Sequence, residues 1–256
     1  MNDYERFKAF FDDYVHKFIQ SAGNDTNLIL KKDHSYQVAE QARLIAESED
    51  FPGGLVFLCR LAGLFHDIGR FEQYRQYKTF KDSESVNHAG LGFRIITAES
   101  VFDSLSKDQK KNLRLAVLFH SRNKIPLGLP SATASLCNVL RDADKLDIYH
   151  IMLSHLTPEK AANEVVTLGL DKEDLISPEI LDQVSQGRLC QYSAMRYEND
   201  FKLLLCSWVY DLNYDYSREF VIKNRFLDQL FELLPSVSDI NKLKTQIMDH
   251  LSRSSS

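Results

Sequence analysis

The sequence predicts an all-α fold, and three observations lead to that expectation. Apolar residues recur every three or four positions, as in residues 7–18, and this period places them on one face of a helix. Alternating strand patterns and Asn-Gly or Asp-Gly hairpin turns are not found. Two dipeptides have the form of a helix cap followed by a proline in the first turn: Thr157-Pro158 and Ser177-Pro178.

The first three predicted helices are expected to form much of the core. An amphipathic helix is predicted over residues 3–20, with one apolar stripe. Asp33 has a side chain that caps helices well, so a second helix is expected over residues 34–48. Residues 54–66 are almost wholly apolar, which predicts a central helix that is buried on most sides.

The same periodicity predicts further helices along the rest of the chain, at residues 83–98, 107–120, 131–153, 158–168, 178–186, 190–210, 217–233 and 238–251. Residues 69–82 are polar and aromatic without a clean period, and residues 121–130 contain two prolines and a glycine. Both segments are therefore predicted to be irregular loops. Loops of this kind, held by a helical frame, are where functional sites tend to lie.

Composition narrows the class of protein. The 256 residues are 44% hydrophobic and 26% charged, which suits one globular all-helical domain spanning residues 1–256. A net charge of −5 argues against a nucleic acid polymer or an anionic membrane as partner. No apolar run is long enough to cross a bilayer, and the acidic, amphipathic start does not resemble a signal peptide. The four cysteines show no CxxC spacing, so we expect buried reduced thiols and a cytoplasmic location.

Four of the eight histidines lie where predicted helices begin or end. They are His34, His66, His88 and His120, and Asp67 directly follows the second of them. The stretch RDADKLD adds Asp142, Asp144 and Asp147 within two helical turns. Imidazole and carboxylate groups are the ligands that suit divalent transition metals. Taken singly, each histidine is better explained as a capping or core residue bonded to a carbonyl; the metal-site hypothesis rests on their shared positions at helix ends and on the adjoining carboxylate.

The order of these residues resembles the HD-domain metal-dependent phosphohydrolase superfamily. His34 is followed by FHDIGR, which contains His66 and Asp67, and then by DADKLD, which contains Asp144. The resemblance covers about residues 30–155 and implies a helical bundle, with residues 156–256 as a helical C-terminal extension. It also implies that these four residues coordinate one divalent ion. Asp144 is preferred over Asp142 because ADKLD aligns with the family's Ala-Asp-x-Leu form. Asp147 then either supports a ligand or pairs with a neighbouring cation.

Two further segments resemble the binuclear branch of this superfamily. NHAGLG contains His88 and FHSRNKIP contains His120, so the resemblance implies that Asp67 bridges two ions and that these histidines serve the second. The chain departs from the HD-GYP phosphodiesterases, because Phe119 and Ser121 flank the second histidine where those enzymes have His-His-Glu, and the Gly-Tyr-Pro signature is absent. A cyclic dinucleotide substrate is therefore not supported. The implied cofactor is one or two divalent ions of Mn, Fe, Zn, Ni, Co or Mg.

The resemblance implies a phosphohydrolase that cleaves a nucleotide or another small phosphoester with metal-activated water. Asp67 and Arg70 are the predicted catalytic residues, and Arg70, Arg122 and Lys145 are the predicted phosphate contacts because arginine and lysine suit anionic oxygens. The alternative is an HD-fold di-iron oxygenase that uses the same ligand set. A regulatory HD module without turnover is a third hypothesis. The sequence does not determine the oligomeric state or the role of the C-terminal helices.

Overall fold

The computed structural model describes residues 3–156 and 170–253. The chain divides into two compact units, Met1–Asp147 and Ile148–Ser256. Within the described residues the regular structure is helical, and the one β pairing is an isolated bridge between Asp171 and Tyr197. The predicted all-α fold is therefore confirmed. The part of the chain that is described contains no helix with the length and apolar character that crossing a bilayer requires.

The longer helices fall into two sets along the chain. The first set is α1 (Asp3–Ser21), α2 (Thr26–Ser48), α3 (Gly53–Phe65), α4 (Ile68–Tyr77), α5 (His88–Ala98), α6 (Lys107–Phe119) and α7 (Ser131–Leu156). The second set is α8 (Pro178–Ser185), α9 (Glu198–Ser207), α10 (Asp215–Lys223), α11 (Phe226–Glu232) and α12 (Ser238–Arg253). Short 3-10 helices form at Asp82–Glu84, Ser100–Ser104, Tyr192–Ala194 and Trp208–Asp211. The predicted helix at residues 158–168 and its Thr157-Pro158 cap lie outside the described residues.

An aromatic cluster forms the centre of the first unit. Phe7 and Phe11 of α1 are completely buried and pack edge-on against Phe65, with ring centroids 6.3 and 5.8 Å apart. Phe65 also meets Phe102 at 4.9 Å. Burying rings of this size contributes a few kcal/mol each, and edge-to-face pairs add about 1 kcal/mol. The last turn of α3 is thus held firmly, directly before His66 and Asp67.

Helix α2 begins earlier than the sequence led us to expect. The N-cap is Asp25, whose Oδ1 accepts a hydrogen bond of 2.8 Å from the backbone N–H of Asn27, and the helix starts at Thr26. The expected cap, Asp33, lies inside the helix. Consequently His34 does not begin a helix: it lies near its middle, with a buried side chain.

The prediction that residues 69–82 form an irregular loop is also wrong for most of that segment, because Ile68–Tyr77 forms helix α4. Phe71 and Tyr74 are buried one turn apart and hold this helix against the core. Gln73 is fully buried as well, and its amide nitrogen lies 2.9 Å from the carbonyl oxygen of Val86. These contacts come from other parts of the chain, so a local polar and aromatic sequence still forms a helix.

Two glycines allow the helices around the centre to approach closely. A Cβ on Gly63 of α3 would lie 2.6 Å from the Cα atom of Ala39 in α2. A Cβ on Gly69 of α4 would lie 2.1 Å from the carbonyl oxygen of His88, the first residue of α5. Both distances are shorter than any van der Waals contact, so only glycine permits these crossings.

The second unit contains shorter helices than the sequence predicted. Only Glu198–Ser207 of the predicted helix 190–210 is α-helical. The predicted helix 217–233 is two helices, interrupted at Arg225, whose φ of 54° is left-handed. The fully buried carboxylate of Asp200 accepts hydrogen bonds from both the backbone N–H and the hydroxyl of Ser177, each 2.7 Å long. The predicted cap at Ser177 is confirmed, and this contact ties the start of α8 to α9.

All four cysteines are buried free thiols, as expected: Cys59, Cys137, Cys190 and Cys206.

Candidate metal centre

The carboxylate of Asp67 lies between two groups of imidazoles. Its side chain is buried at the junction of α3 and α4, and its two oxygens face different neighbours. Oδ2 lies 3.5 Å from Nε2 of His66 and 3.9 Å from Nε2 of His34. Oδ1 lies 3.4 Å from Nε2 of His88 and 3.8 Å from Nε2 of His120. A carboxylate in this position can share its oxygens between two ions.

His34, His66 and Asp144 form the first half-site, on the Oδ2 side of Asp67. The two Nε2 atoms are 3.2 Å apart, and Oδ1 of Asp144 lies 3.1 Å from the first and 3.6 Å from the second. Their ligand atoms are close enough together to hold one metal ion. Oδ1 of Asp144 is buried and has no hydrogen-bond partner among the described residues. A buried carboxylate oxygen of this kind is costly unless a cation satisfies it.

His88 and His120 form the second half-site, on the Oδ1 side of Asp67. Their Nε2 atoms are also 3.2 Å apart. His120 caps the C-terminal end of α6, and His88 is the first residue of α5, as the sequence predicted for both. His66, Asp67 and His120 form a second group whose ligand atoms could hold an ion. The six predicted ligands, with Asp67 at their centre, are therefore brought together.

Each imidazole is oriented by a bond at its other nitrogen. Nδ1 of His66 lies 2.8 Å from the carbonyl oxygen of Gly63, and Nδ1 of His120 lies 2.7 Å from that of Val117. These oxygens can only accept, so Nδ1 carries the proton and Nε2 keeps its lone pair. The other two imidazoles bond carboxylates through Nδ1: that of His34 lies 2.6 Å from Asp147 Oδ2, and that of His88 lies 2.8 Å from Asp82 Oδ2. All four Nε2 atoms are thereby presented to the centre as ligands.

The donor set fits divalent ions. Unprotonated Nε2 atoms that face each other at 3.2 Å repel unless a cation or a proton lies between them. Burial lowers the pKa of His88 to about 4, so this imidazole is neutral at neutral pH. In the first half-site burial lowers the pKa of His34, but Asp144 and Asp147 together raise it above its usual value. Imidazole nitrogens with carboxylate oxygens suit Mn, Fe, Zn, Ni and Co, and the carboxylates also suit Mg.

Two cations flank the central carboxylate. Lys31, one turn before His34 on α2, places Nζ 2.6 Å from Oδ2 of Asp67. Nε of Arg70 lies 3.3 Å from Oδ1 of the same carboxylate. Burial alone would raise the pKa of Asp67, but Lys31 above all, with the neighbouring imidazoles and Arg70, holds it well below its usual range. Asp67 is therefore an anion throughout the physiological pH range.

The predicted substrate contacts occupy different positions. Arg70 is largely buried, and Nη1 lies 3.0 Å from both Gln73 Oε1 and Asp82 Oδ1, so its contacts tie α4 to the segment after it. Arg122 is exposed, and its guanidinium lies 4.8 Å from the centre of the Phe119 ring. Lys145 is buried on α7, next to Asp144. The assignments of these three cations to substrate phosphate stay predictions.

Sequence reasoning missed two residues of the centre. Lys31 is three residues before His34, and this spacing on one helix would have placed both side chains on the same face. Asp82 had no comparable signal, because it reaches His88 from a 3-10 helix that the sequence pattern does not reveal. Asp147, for which two roles were open, orients His34 rather than serving only as a charge partner.

The fold and the ligand geometry define a class: an all-helical protein with a histidine–aspartate centre that suits divalent ions. Residues 32–175 match the family model described as HD domain, which is more than half of the chain. The chain therefore belongs to the HD domain family, whose members are mostly metal-dependent hydrolases. The match confirms the resemblance drawn from the motifs. No curated protein and no solved structure matches the chain significantly.

Proposed function

We propose that this protein is a metal-dependent phosphohydrolase that cleaves a nucleotide or another small phosphoester with activated water. The observation that carries the proposal is the position of Asp67, whose two oxygens face two separate imidazole pairs. This is the arrangement that a pair of ions needs to act on the entering and leaving oxygens of one phosphoryl group. The buried Oδ1 of Asp144, which lies 3.1 and 3.6 Å from the two imidazole nitrogens, supports an ion in the first half-site.

Bound divalent ions would supply Lewis acidity, which activates water and neutralises charge on phosphoryl oxygens. The protein's own groups complete the environment. The described groups around Asp67 are imidazoles, carboxylates and cations, so water is the natural nucleophile. Lys31 and Arg70 lie on either side of Asp67 and add positive charge where phosphoryl transfer accumulates negative charge.

Substrate recognition by charge agrees better with the surroundings than stacking of a nucleobase. Phe80 packs on the ring of Tyr74 at a centroid distance of 4.8 Å, and Nζ of Lys31 lies 5.6 Å from the centre of the same Phe80 ring. The hydroxyl of Tyr74 lies 3.0 Å from Asp25 and is engaged in the fold. We therefore propose that the phosphoryl group, rather than an aromatic base, is the main feature that this centre recognises.

The test begins with the full chain stripped of metal and reloaded in turn with Mn, Fe, Zn, Ni, Co or Mg. Phosphate release is then measured from nucleotides and from p-nitrophenyl mono- and diesters. We expect turnover with at least one metal, and a loss of about a hundredfold or more in Asp67→Asn, because the shared ligand loses its charge. Asp103→Asn is the matched control, since the side chain of Asp103 is 69% exposed and pairs with Lys110.

Two outcomes would contradict the proposal. Oxygen consumption with iron and an organic substrate, without phosphate release, would identify the oxygenase chemistry that shares this ligand set. Stoichiometric metal binding with no turnover of any phosphoester class would instead indicate a regulatory module. Circular dichroism of Asp67→Asn and Asp103→Asn separates loss of the centre from loss of the fold.

A further inference from the structure

The two half-sites are built on the same plan. Each contains one imidazole whose Nδ1 bonds a backbone carbonyl, namely His66 and His120. Each also contains one imidazole whose Nδ1 bonds a carboxylate: His34 bonds Asp147, and His88 bonds Asp82. In both halves the two Nε2 atoms are 3.2 Å apart. Asp82 therefore occupies in the second half-site the place that Asp147 occupies in the first.

The carboxylate of Asp82 is centred on the imidazole N–H of His88. Nδ1 lies 2.9 Å from Oδ1 and 2.8 Å from Oδ2, so both oxygens face the same proton. His88 is buried, with 1% of its surface exposed, while the side chain of Asp82 is 33% exposed. The contact thus fixes the tautomer and the rotation of a buried ring from a residue nearer the surface.

Helix α4 fixes Asp82 relative to the central carboxylate. Nη1 of Arg70 lies 3.0 Å from Oδ1 of Asp82, and Nε of the same guanidinium lies 3.3 Å from Oδ1 of Asp67. The amide nitrogen of the buried Gln73 lies 2.8 Å from Oδ1 of Asp82. The contacts form a closed ring, because Nε2 of His88 in turn faces Oδ1 of Asp67 at 3.4 Å. A rigid guanidinium and a buried amide hold the ring in one geometry.

We propose that Asp82 is the positioning residue of the second half-site, and that its removal weakens the ion of that half-site while the other ion keeps its affinity. Asp82 does not contact the ion: it holds His88 with Nε2 directed at Asp67. The first half-site keeps its own carboxylate partner, Asp147, so its ion should be unaffected. This inference rests on the metal centre of the proposed function, but it requires no particular substrate.

The experiment titrates the metal-stripped full chain with Mn²⁺ by calorimetry. We expect two ions in the unchanged protein, and in Asp82→Ala one ion of unchanged affinity and a second weakened by about 10- to 100-fold. Asp82→Asn should be intermediate, because its amide oxygen still accepts from Nδ1–H but loses the charge. Glu84→Gln is the matched control: Glu84 lies in the same 3-10 helix, is exposed, and pairs with Lys81 at 3.1 Å. Asp147→Ala should weaken the other ion.

The possible results separate this inference from the proposed function. Two ions with unchanged affinities in Asp82→Ala would overturn the inference and leave the hydrolase proposal intact. Equal weakening of both ions, accompanied by a lower unfolding midpoint, would show that Asp82 only supports the fold, and would also overturn it. One ion in the unchanged protein would remove the second half-site as a metal site, whereas phosphate release would still test the hydrolase. Absence of any bound ion would overturn the metal centre itself.

Discussion

The close crossing of α2 and α3 makes Gly63→Ala the most informative single substitution. The new Cβ would lie 2.6 Å from Cα and 2.7 Å from the backbone nitrogen of Ala39, and 2.7 Å from the carbonyl oxygen of Val38. Ordinary carbon contacts need about 3.5 Å or more, so the two helices must separate locally by roughly 1 Å. Backbone atoms cannot rotate away as a side chain can, so the strain falls on the packing itself.

The expected magnitude follows from two opposing effects. Overpacking against backbone should cost about 3 kcal/mol, the upper end of the usual range. Alanine favours the helix over glycine by about 1 kcal/mol, so the net loss in unfolding free energy is about 2 kcal/mol. For a chain of this size that lowers the thermal midpoint by about 4–8 °C. Because α2 contains His34 and Nδ1 of His66 bonds the carbonyl of Gly63 itself, the first half-site should also lose metal affinity by at least about tenfold.

Helix α3 provides its own control. A Cβ on Gly54 meets nothing within 4 Å, so Gly54→Ala should be neutral or stabilising by up to about 1 kcal/mol. Urea denaturation followed by circular dichroism, and Mn²⁺ titration by calorimetry, compare the two variants. If Gly63→Ala matches Gly54→Ala in both stability and metal affinity, then the close approach of α2 and α3 does not position His34 and His66, and this reasoning is refuted.

The charged groups around the centre and between α1 and α2 lead to three other expectations. Chelation of metal should lower the thermal midpoint, because the facing imidazoles are left without a cation, and added Mn²⁺ should restore it; a midpoint insensitive to both would contradict the centre. Lys31→Met should strengthen Mn²⁺ binding roughly tenfold, by removing a like charge, while phosphate release falls. Lys32→Met is the control and should change neither Mn²⁺ affinity nor phosphate release, because Nζ of Lys32 pairs with Asp12 at 3.0 Å. Equal effects of the two variants would count against a role for Lys31. Burial would raise the pKa of Asp12, but hydrogen bonds from Tyr36 and two lysines hold it below its usual value. The charged Asp12 should therefore stabilise the fold by under about 1 kcal/mol, and Asp12→Asn should lose this contribution. The difference between the two proteins should be full above the unfolded pKa near 3.9 and should vanish as the pH falls through the lower folded pKa. Urea denaturation of both proteins from pH 7 to about 2 measures it.

Much of the centre could be predicted because its ligands lie in recognisable local sequence. His66 and Asp67 end the apolar helix α3, and Asp144 lies in a helical stretch rich in carboxylates. What could not be predicted depends on contacts between distant segments. Asp33 is the predicted cap of α2, whereas the structure uses Asp25; both are aspartates, so the residue type alone does not distinguish them.

The residues that support the ligands were harder to find than the ligands. Asp82 lies in a segment that the sequence predicts to be irregular, and its partner Arg70 is predicted as a catalytic residue and phosphate contact, not as a support for a ligand. Neither the spacing of Gly63 nor that of Gly69 reveals that a backbone passes within 3 Å of the missing Cβ. The sequence pattern of one helix does not reveal such a close approach, because the approach depends on how two helices pack against each other.

The break between α3 and α4 explains why adjacent residues can both serve one centre. In a continuous helix two consecutive side chains point about 100° apart, so His66 and Asp67 could not both face the same ion. Here the chain turns at Asp67, whose φ and ψ of −102° and 15° lie in the bridge region between helix and strand. Nδ1 of His66 bonds the carbonyl oxygen of Gly63 in α3, while the carboxylate of Asp67 faces the cations Lys31 and Arg70. The dipeptide therefore works as a pair only because the helix ends between its two side chains.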